Sequence, residues 1–162
     1  AYRALVKFTD EEIDFICNYL EIIKLRFPEK LDIQLSFDET LGKLKIPPML
    51  LQPLVENSIK YGFVNRSQLF HLTLSARTED GAAVLSVEDS GKGFPEEFRG
   101  TFDQNHTFEV PDNPESDNHV GLRNIYQRLL MYYGEDASLK IDWNGEWSRV
   151  EIKIRDWEKY AL

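Results

Sequence analysis

The stretch "AAVLSVEDSGKGF", residues 82–94, decides the fold. Its first half is an apolar, β-branched run, which reads as a strand buried in a sheet. The strand ends in a carboxylate, Asp89, and two glycines follow one residue apart, Gly91 and Gly93. Glycine weakens strands and helices, so two at this spacing point to a backbone that needs positive φ or close approach to a ligand. At a strand end, Asp89 can accept a hydrogen bond from an exocyclic amine while the glycines let a ring lie against the backbone. A plain glycine turn is the other reading of these residues alone.

Working outward, "FHLTLSART" (70–78) alternates apolar and polar residues and is joined to the first strand by "EDG", a short hairpin connection. Residues 95–119 hold Pro, Gly, Asn, Asp and His with little apolar periodicity, a length at which an unstructured connection is usually functional, and they read as a lid. "VGLRNIYQRLLMYYG" (120–134) then returns to helical spacing through Leu122, Ile125, Leu129 and Tyr132 and stops at Gly134. "SLKIDW" and "RVEIKIRD" flank Asn144-Gly145, a two-residue hairpin signal.

On the N-terminal side, "LDIQLSFD" (31–38) alternates as a half-buried strand. Before it, "TDEEIDFICNYLEIIKLRF" (9–27) opens with Thr9 and Glu12 at capping-box spacing and puts Ile13, Ile16, Leu20, Ile23 and Phe27 on one helical stripe. "PPMLLQPLVENSIKYG" (47–62) reads as a helix with Pro48 in its first turn and Gly62 as its C-terminal cap, and Pro53 either kinks it or marks a later start. Three helices and about five strands, mostly joined as hairpins, predict an α+β fold: one two-layer α/β sandwich with the helices on one face.

Composition sets limits on function. The chain of 162 residues suits one domain, and 42% hydrophobic with 29% charged residues fits a folded protein rather than a disordered one. No run approaches the roughly 20 apolar residues that span a bilayer. The single Cys17 excludes an internal disulfide, and no secretory signal pattern opens the chain, which together predict a reducing, cytoplasmic setting. A net charge of −9 disfavours nucleic acid and anionic membrane surfaces as partners. Local phosphate binding by backbone NH groups or a metal stays open.

Two further patches carry chemistry. In "VENSIKYG" (55–62), Asn57 offers an amide oxygen, a hard ligand suited to Mg2+, and Lys60, three residues on, a point charge suited to phosphate, with Glu56 and Tyr61 alongside. An exposed polar helix face is the alternative. In "HVGLRN" (119–124), a helix starting at Gly121 would aim free NH groups at an anion, or simply be capped there.

In order, N-x-x-K-Y, D-x-G-x-G, a long polar lid and a G-L-x-N helix resemble the catalytic ATP-binding domain of sensor histidine kinases, within the superfamily of gyrase, Hsp90, histidine kinases and MutL. The LytS-like branch is nearest: "IPPMLLQPLVENSIKYGF", "VEDSGKGF" and "GLRNIYQRLLMYYG" look like its N box and two glycine boxes, over about residues 8 to 154. The resemblance implies a Bergerat fold with a mixed sheet and the cofactors ATP and Mg2+. Asn57 would coordinate the metal, Lys60 meet the phosphates, and Glu56 stand with them as a catalytic residue. Asp89 would bind the adenine amino group, Gly91 and Gly93 shape the adenine wall, Tyr61 lie along the nucleotide, and Gly121 and Leu122 serve the phosphate tail.

The resemblance also implies that residues 1–162 are one domain of a longer, membrane-bound receptor kinase. Its γ-phosphoryl group would go to a histidine on a dimerisation domain and then to a response regulator, without direct membrane contact by this domain. His71, His106 and His119 do not stand in the family's phosphoacceptor setting. Two positions depart from the pattern: Pro53 replaces a polar residue four before Asn57, and His119 replaces a glycine two before Gly121. They keep open a module that only docks to partners. An ATPase switch is a third reading, for which Glu56 is the local carboxylate.

Overall fold

In the computed structural model, which describes residues 6–7, 12–65, 67–91, 99–101 and 117–161 (backbone alone at 6–7 and 117–120), the strand of the opening stretch lies inside a sheet. The elements are β1 (Val6–Lys7), α1 (Ile13–Arg26), β2 (Leu31–Phe37), β3 (Lys45–Ile46), α2 (Gln52–Asn57), β4 (Phe70–Glu79), β5 (Ala82–Asp89), β6 (Gly100–Thr101), α3 (Asp117–Tyr133), β7 (Ala137–Trp143) and β8 (Ser148–Ile154). Six strands form a mixed sheet in the order β2-β4-β5-β8-β7-β6, in which only β2 and β4 pair in parallel. β1 and β3 make a separate two-stranded pair.

Strand alternation sends one side of the sheet to the core. Leu72 and Leu74 of β4, Leu85 and Val87 of β5, and Ile152 of β8 are buried on that side, where Ile16, Leu20, Leu54, Ile125 and Leu129 belong to the same cluster. Burying each such side chain is worth about 1.5–3 kcal/mol, so this one layer of contacts supplies the main stabilisation. The other side stays polar: the Ser75 and Ser86 hydroxyls meet at 2.5 Å, and Arg149 pairs with Glu88 at 3.3 Å. The result is the expected two-layer sandwich, with Ile16 and Leu20 on the core face of α1.

Several local expectations are corrected. Glu12 does not act in a capping box at its own helix; its carboxylate accepts from the backbone NH groups of Met49, Leu51 and Gln52, and Thr9 lies outside the described residues. The second helix starts at Gln52 rather than near Pro48. Pro53 is therefore in its first turn, where a missing N–H costs no bond and no kink is needed.

That helix continues without a break into a π-helical turn, Ser58–Gly62. Gly62 is not a left-handed cap, since among the described residues the positive-φ glycines are Gly81, Gly100, Gly134 and Gly145. The last hairpin turns on Gly145 and Glu146, one residue later than Asn144-Gly145 predicts. Gly145 has φ +94°, and the Asn144 side chain accepts from the NH groups of Glu146 and Trp147. Within the expected lid, Gly100 and Thr101 form an edge strand against β7, and α3 begins at Asp117, four residues before Gly121. The rest of that segment lies outside the described residues.

Candidate functional site

Asp89 closes β5 opposite Ser148 and is only 6% exposed. Its Oδ1 accepts from the Gly91 backbone NH at 2.8 Å, and the Ser58 hydroxyl donates to the same carboxylate. Both partners are neutral. Burial accordingly pushes the Asp89 carboxyl up to about 6, against the downward pull of the Gly91 and Ser58 bonds, with the neighbouring Glu88 charge adding to the rise.

The glycines beside it are there for close approach. A Cβ on Gly91 would sit 2.5 Å from the Gly62 Cα, 2.8 Å from Asp89 Oδ1 and 3.0 Å from the Gly62 carbonyl oxygen. A Cβ on Gly62 would lie 3.0 Å from the same Oδ1 and 3.1 Å from the Phe70 ring. Two backbones thus meet beside one buried carboxylate: Gly91 has no space for a side chain, and Gly62 is tightly enclosed by the Asp89 and Phe70 side chains. Behind them the Phe63 and Phe70 rings pack with centroids 5.3 Å apart.

The π-helical turn accounts for this approach. One widened turn after Asn57 carries Ser58 and Gly62 to the end of β5, and such turns recur at functional sites. Asn57, half-buried at the end of α2, faces α3: a Cβ on Gly121 would lie 3.5 Å from Asn57 Nδ2. Leu122 beside it is buried in the core. The segments of Asn57, Asp89 and Gly121 therefore converge around the α2 end.

The remaining predicted residues are placed less centrally. Lys60 is exposed, its Nζ 5.0 Å from the centre of the Tyr61 ring. Glu56 points back along α2 and accepts from Gln52 Nε2 at 3.3 Å. Gly93 lies outside the described residues. Gly121 is the fifth residue of α3 rather than its first, so the free NH groups of that helix belong to residues 117–120. Sequence reading missed Ser58 and Gly62 as partners of Asp89. The signal was present, two small residues four apart in "VENSIKYG", but Gly62 had a simpler reading as a helix cap.

Residues 47–157 match the family described as histidine kinase-, DNA gyrase B- and HSP90-like ATPase. The chain belongs to this family. Among relatives, it is 33% identical over 142 residues to the sensor protein LytS of Oceanobacillus iheyensis, covering 88% of this chain and 24% of that protein. The chain thus spans about a quarter of that relative's length. Among solved structures it is similar to the Acinetobacter baumannii histidine kinase AdeS, with a TM-score of 0.62, 17% identity, and 93% and 66% of the two chains covered. It is also similar to histidine kinase ThkA in complex with response regulator protein TrrA, with a TM-score of 0.60, 15% identity, and 93% and 41% covered.

The residues fit the ligands of this ATPase family. A buried carboxylate with only neutral partners, next to backbone that excludes side chains, suits a flat base carrying an amine. No group of three or more His, Cys, Asp or Glu that could hold a metal occurs among the described residues; the Asn57 amide oxygen, at the end of α2, is a hard donor that could join phosphate oxygens on a metal. That donor set suits Mg2+, which keeps several waters and takes few protein ligands.

Proposed function

We propose that this chain is the Mg·ATP-binding catalytic domain of a two-component sensor histidine kinase. The observation that carries the reading is the buried Asp89 carboxylate held between Ser58, Gly62 and Gly91, with Asn57 one residue before Ser58. Asp89 accepts from the adenine amino group, and Gly91 and Gly93 shape the wall beside the ring. Asn57 holds Mg2+, Lys60 approaches the phosphates, Tyr61 lies along the nucleotide, and Gly121 and Leu122 set the α3 edge near the phosphate tail. When bound, Mg2+ neutralises phosphate charge. The transferred γ-phosphoryl group leaves ADP and bonds to an imidazole nitrogen of a histidine on a separate dimerisation domain, and an aspartate of a response regulator takes it next.

The partner assignment draws on the ThkA structure, solved together with a response regulator, and on the net charge of −9, which suits protein rather than nucleic-acid partners. No helix among the described residues is long and apolar enough to cross a membrane. The span of about a quarter of the sensor protein LytS of Oceanobacillus iheyensis supports reading this domain as the ATP-binding part of a longer sensor, on the cytoplasmic side where ATP is. The docking-only alternative leans on Pro53 and His119: Pro53 has a place in the first turn of α2, where it needs no kink, and the side chain of His119 lies outside the described residues. Isothermal titration calorimetry with a nonhydrolysable ATP analogue and Mg2+ tests the reading. Asp89→Ala removes a charge-assisted bond of about 1.5–3 kcal/mol and should weaken binding roughly ten- to a hundredfold. Unchanged affinity would refute the assignment.

A further inference from the structure

We propose that Glu12 is a positioning residue for the nucleotide site: by gripping the turn before α2 it sets where Asn57 and Ser58 stand. The inference rests on the nucleotide-binding reading above. Glu12 is 2% exposed, immediately before α1, and it spends both carboxylate oxygens on a segment almost forty residues away. Oε1 accepts from the NH groups of Leu51 at 2.7 Å and Gln52 at 3.0 Å, and Oε2 from that of Met49 at 3.0 Å. A buried carboxylate persists only when its lone pairs are satisfied, and here the satisfying donors are the free NH groups at the start of α2. The negative charge also faces the positive end of that helix.

The same turn is gripped by a second charged side chain. Arg128 of α3 donates to the carbonyls of Pro48 and Met49, the latter at 2.7 Å. Met49 is the shared point, its NH on Glu12 and its carbonyl on Arg128. Its φ is +59° and its side chain is 42% exposed, so burial does not hold it there. A left-handed non-glycine residue persists where its surroundings over-determine it, and the two charged clamps do that.

From this anchor to the site the path is short and stiff. Gln52, which donates to Glu12, is the first residue of α2; Asn57 is the last, and Ser58 with its bond to Asp89 follows directly. A short helix moves as a unit, so displacing its start displaces the Asn57 amide and the Ser58 hydroxyl together. α1 thereby becomes a lever on the site through one side chain.

Glu12→Gln tests this in the whole chain, because it keeps the shape but turns one acceptor into a donor facing the Met49 NH. Glu12→Asp keeps the charge on a shorter arm, and Ile152→Ala, a core variant on β8, controls for lost stability. In nitrogen-15 NMR spectra without nucleotide, the Asn57 side-chain amide and the Ser58 and Asp89 backbone amides should shift in Glu12→Gln, return part-way in Glu12→Asp, and stay put in Ile152→Ala. The dissociation constant for a nonhydrolysable ATP analogue with Mg2+ should rise roughly three- to thirtyfold in Glu12→Gln, with the same order of recovery. Unmoved Asn57 signals, or wild-type affinity despite moved signals, would overturn the proposal. A wild-type chain that binds no nucleotide would instead overturn the kinase reading, and the ligand-free spectra would then decide the role of Glu12 alone.

Discussion

Replacing Asp89 by asparagine should stabilise the domain at neutral pH while removing its grip on the nucleotide. Burial raises the Asp89 carboxyl from its ordinary 3.8 to about 6. At low pH the carboxyl is protonated in both the folded and the unfolded chain and costs nothing. As pH rises through the ordinary value, the unfolded chain ionises while the folded one holds its proton until about 6, so stability falls across that window and stays lower above it. Asp89 is 6% exposed, so solvent screening takes little off the effect. A shift of about two units corresponds to about 3 kcal/mol at neutral pH, and only about 1 kcal/mol at about pH 4.5. Asparagine cannot ionise, and its carbonyl oxygen still accepts from the Gly91 NH. Urea denaturation of both proteins from about pH 4.5 to about 7.5 should therefore show the asparagine variant gaining about 2 kcal/mol relative to wild type across the series. Asp38, held below its ordinary range by the Thr40 amide and hydroxyl, and Asp136, held down by the Tyr160 hydroxyl and Lys159, titrate alike in both proteins and cancel. A stability difference that does not change with pH would refute the reasoning.

Two other substitutions separate shape from chemistry at the same site. Gly91→Ala places a methyl 2.5 Å from the Gly62 Cα, and backbone cannot swing aside as a side-chain end can. It should cost about 1–3 kcal/mol or more in a thermal melt and weaken ATP binding, whereas Gly81→Ala, strained at φ +80° but with nothing within 4 Å, should cost about 1 kcal/mol and leave binding intact. Asn57→Ala should lower affinity for ATP by about tenfold in the presence of Mg2+ and far less in its absence, by calorimetry with and without a chelator. Equal losses in both conditions would take the metal away from Asn57.

What could be read before any coordinates was whatever has a short period. Alternation in "FHLTLSART" and "AAVLSVED" sets which residues face the core, and the 3.6-residue stripe of Ile16 and Leu20 does the same for α1, because side-chain direction follows from backbone geometry alone. The Asp89-x-Gly91 pair could be read for a related reason: a carboxylate and the glycine that allows close backbone approach beside it are close in sequence because they share one strand end, while Gly93 lies outside the described residues. The errors fell where a local explanation was sufficient yet wrong. Glu12 three residues after Thr9 has the spacing of a capping box, and nothing in the spacing says that its real partners are the NH groups of Met49, Leu51 and Gln52. Gly62 at a helix end looks like a cap, yet the space its side chain would take is held by Asp89 Oδ1 and the Phe70 ring, and its backbone meets Gly91 beyond a whole hairpin. Pro48 and Pro53 both satisfy the rule for a first turn, and the choice between them goes with a carboxylate just before α1, Glu12, that meets the chain at Gln52. In each case the deciding contact joins residues about thirty to forty positions apart in the chain, which no local pattern records. A site assembled this way shows its chemistry in the sequence and its geometry only in the fold, which is why single substitutions at Glu12 or Gly62, residues with no chemistry of their own to offer a nucleotide, test it as sharply as changes at Asp89.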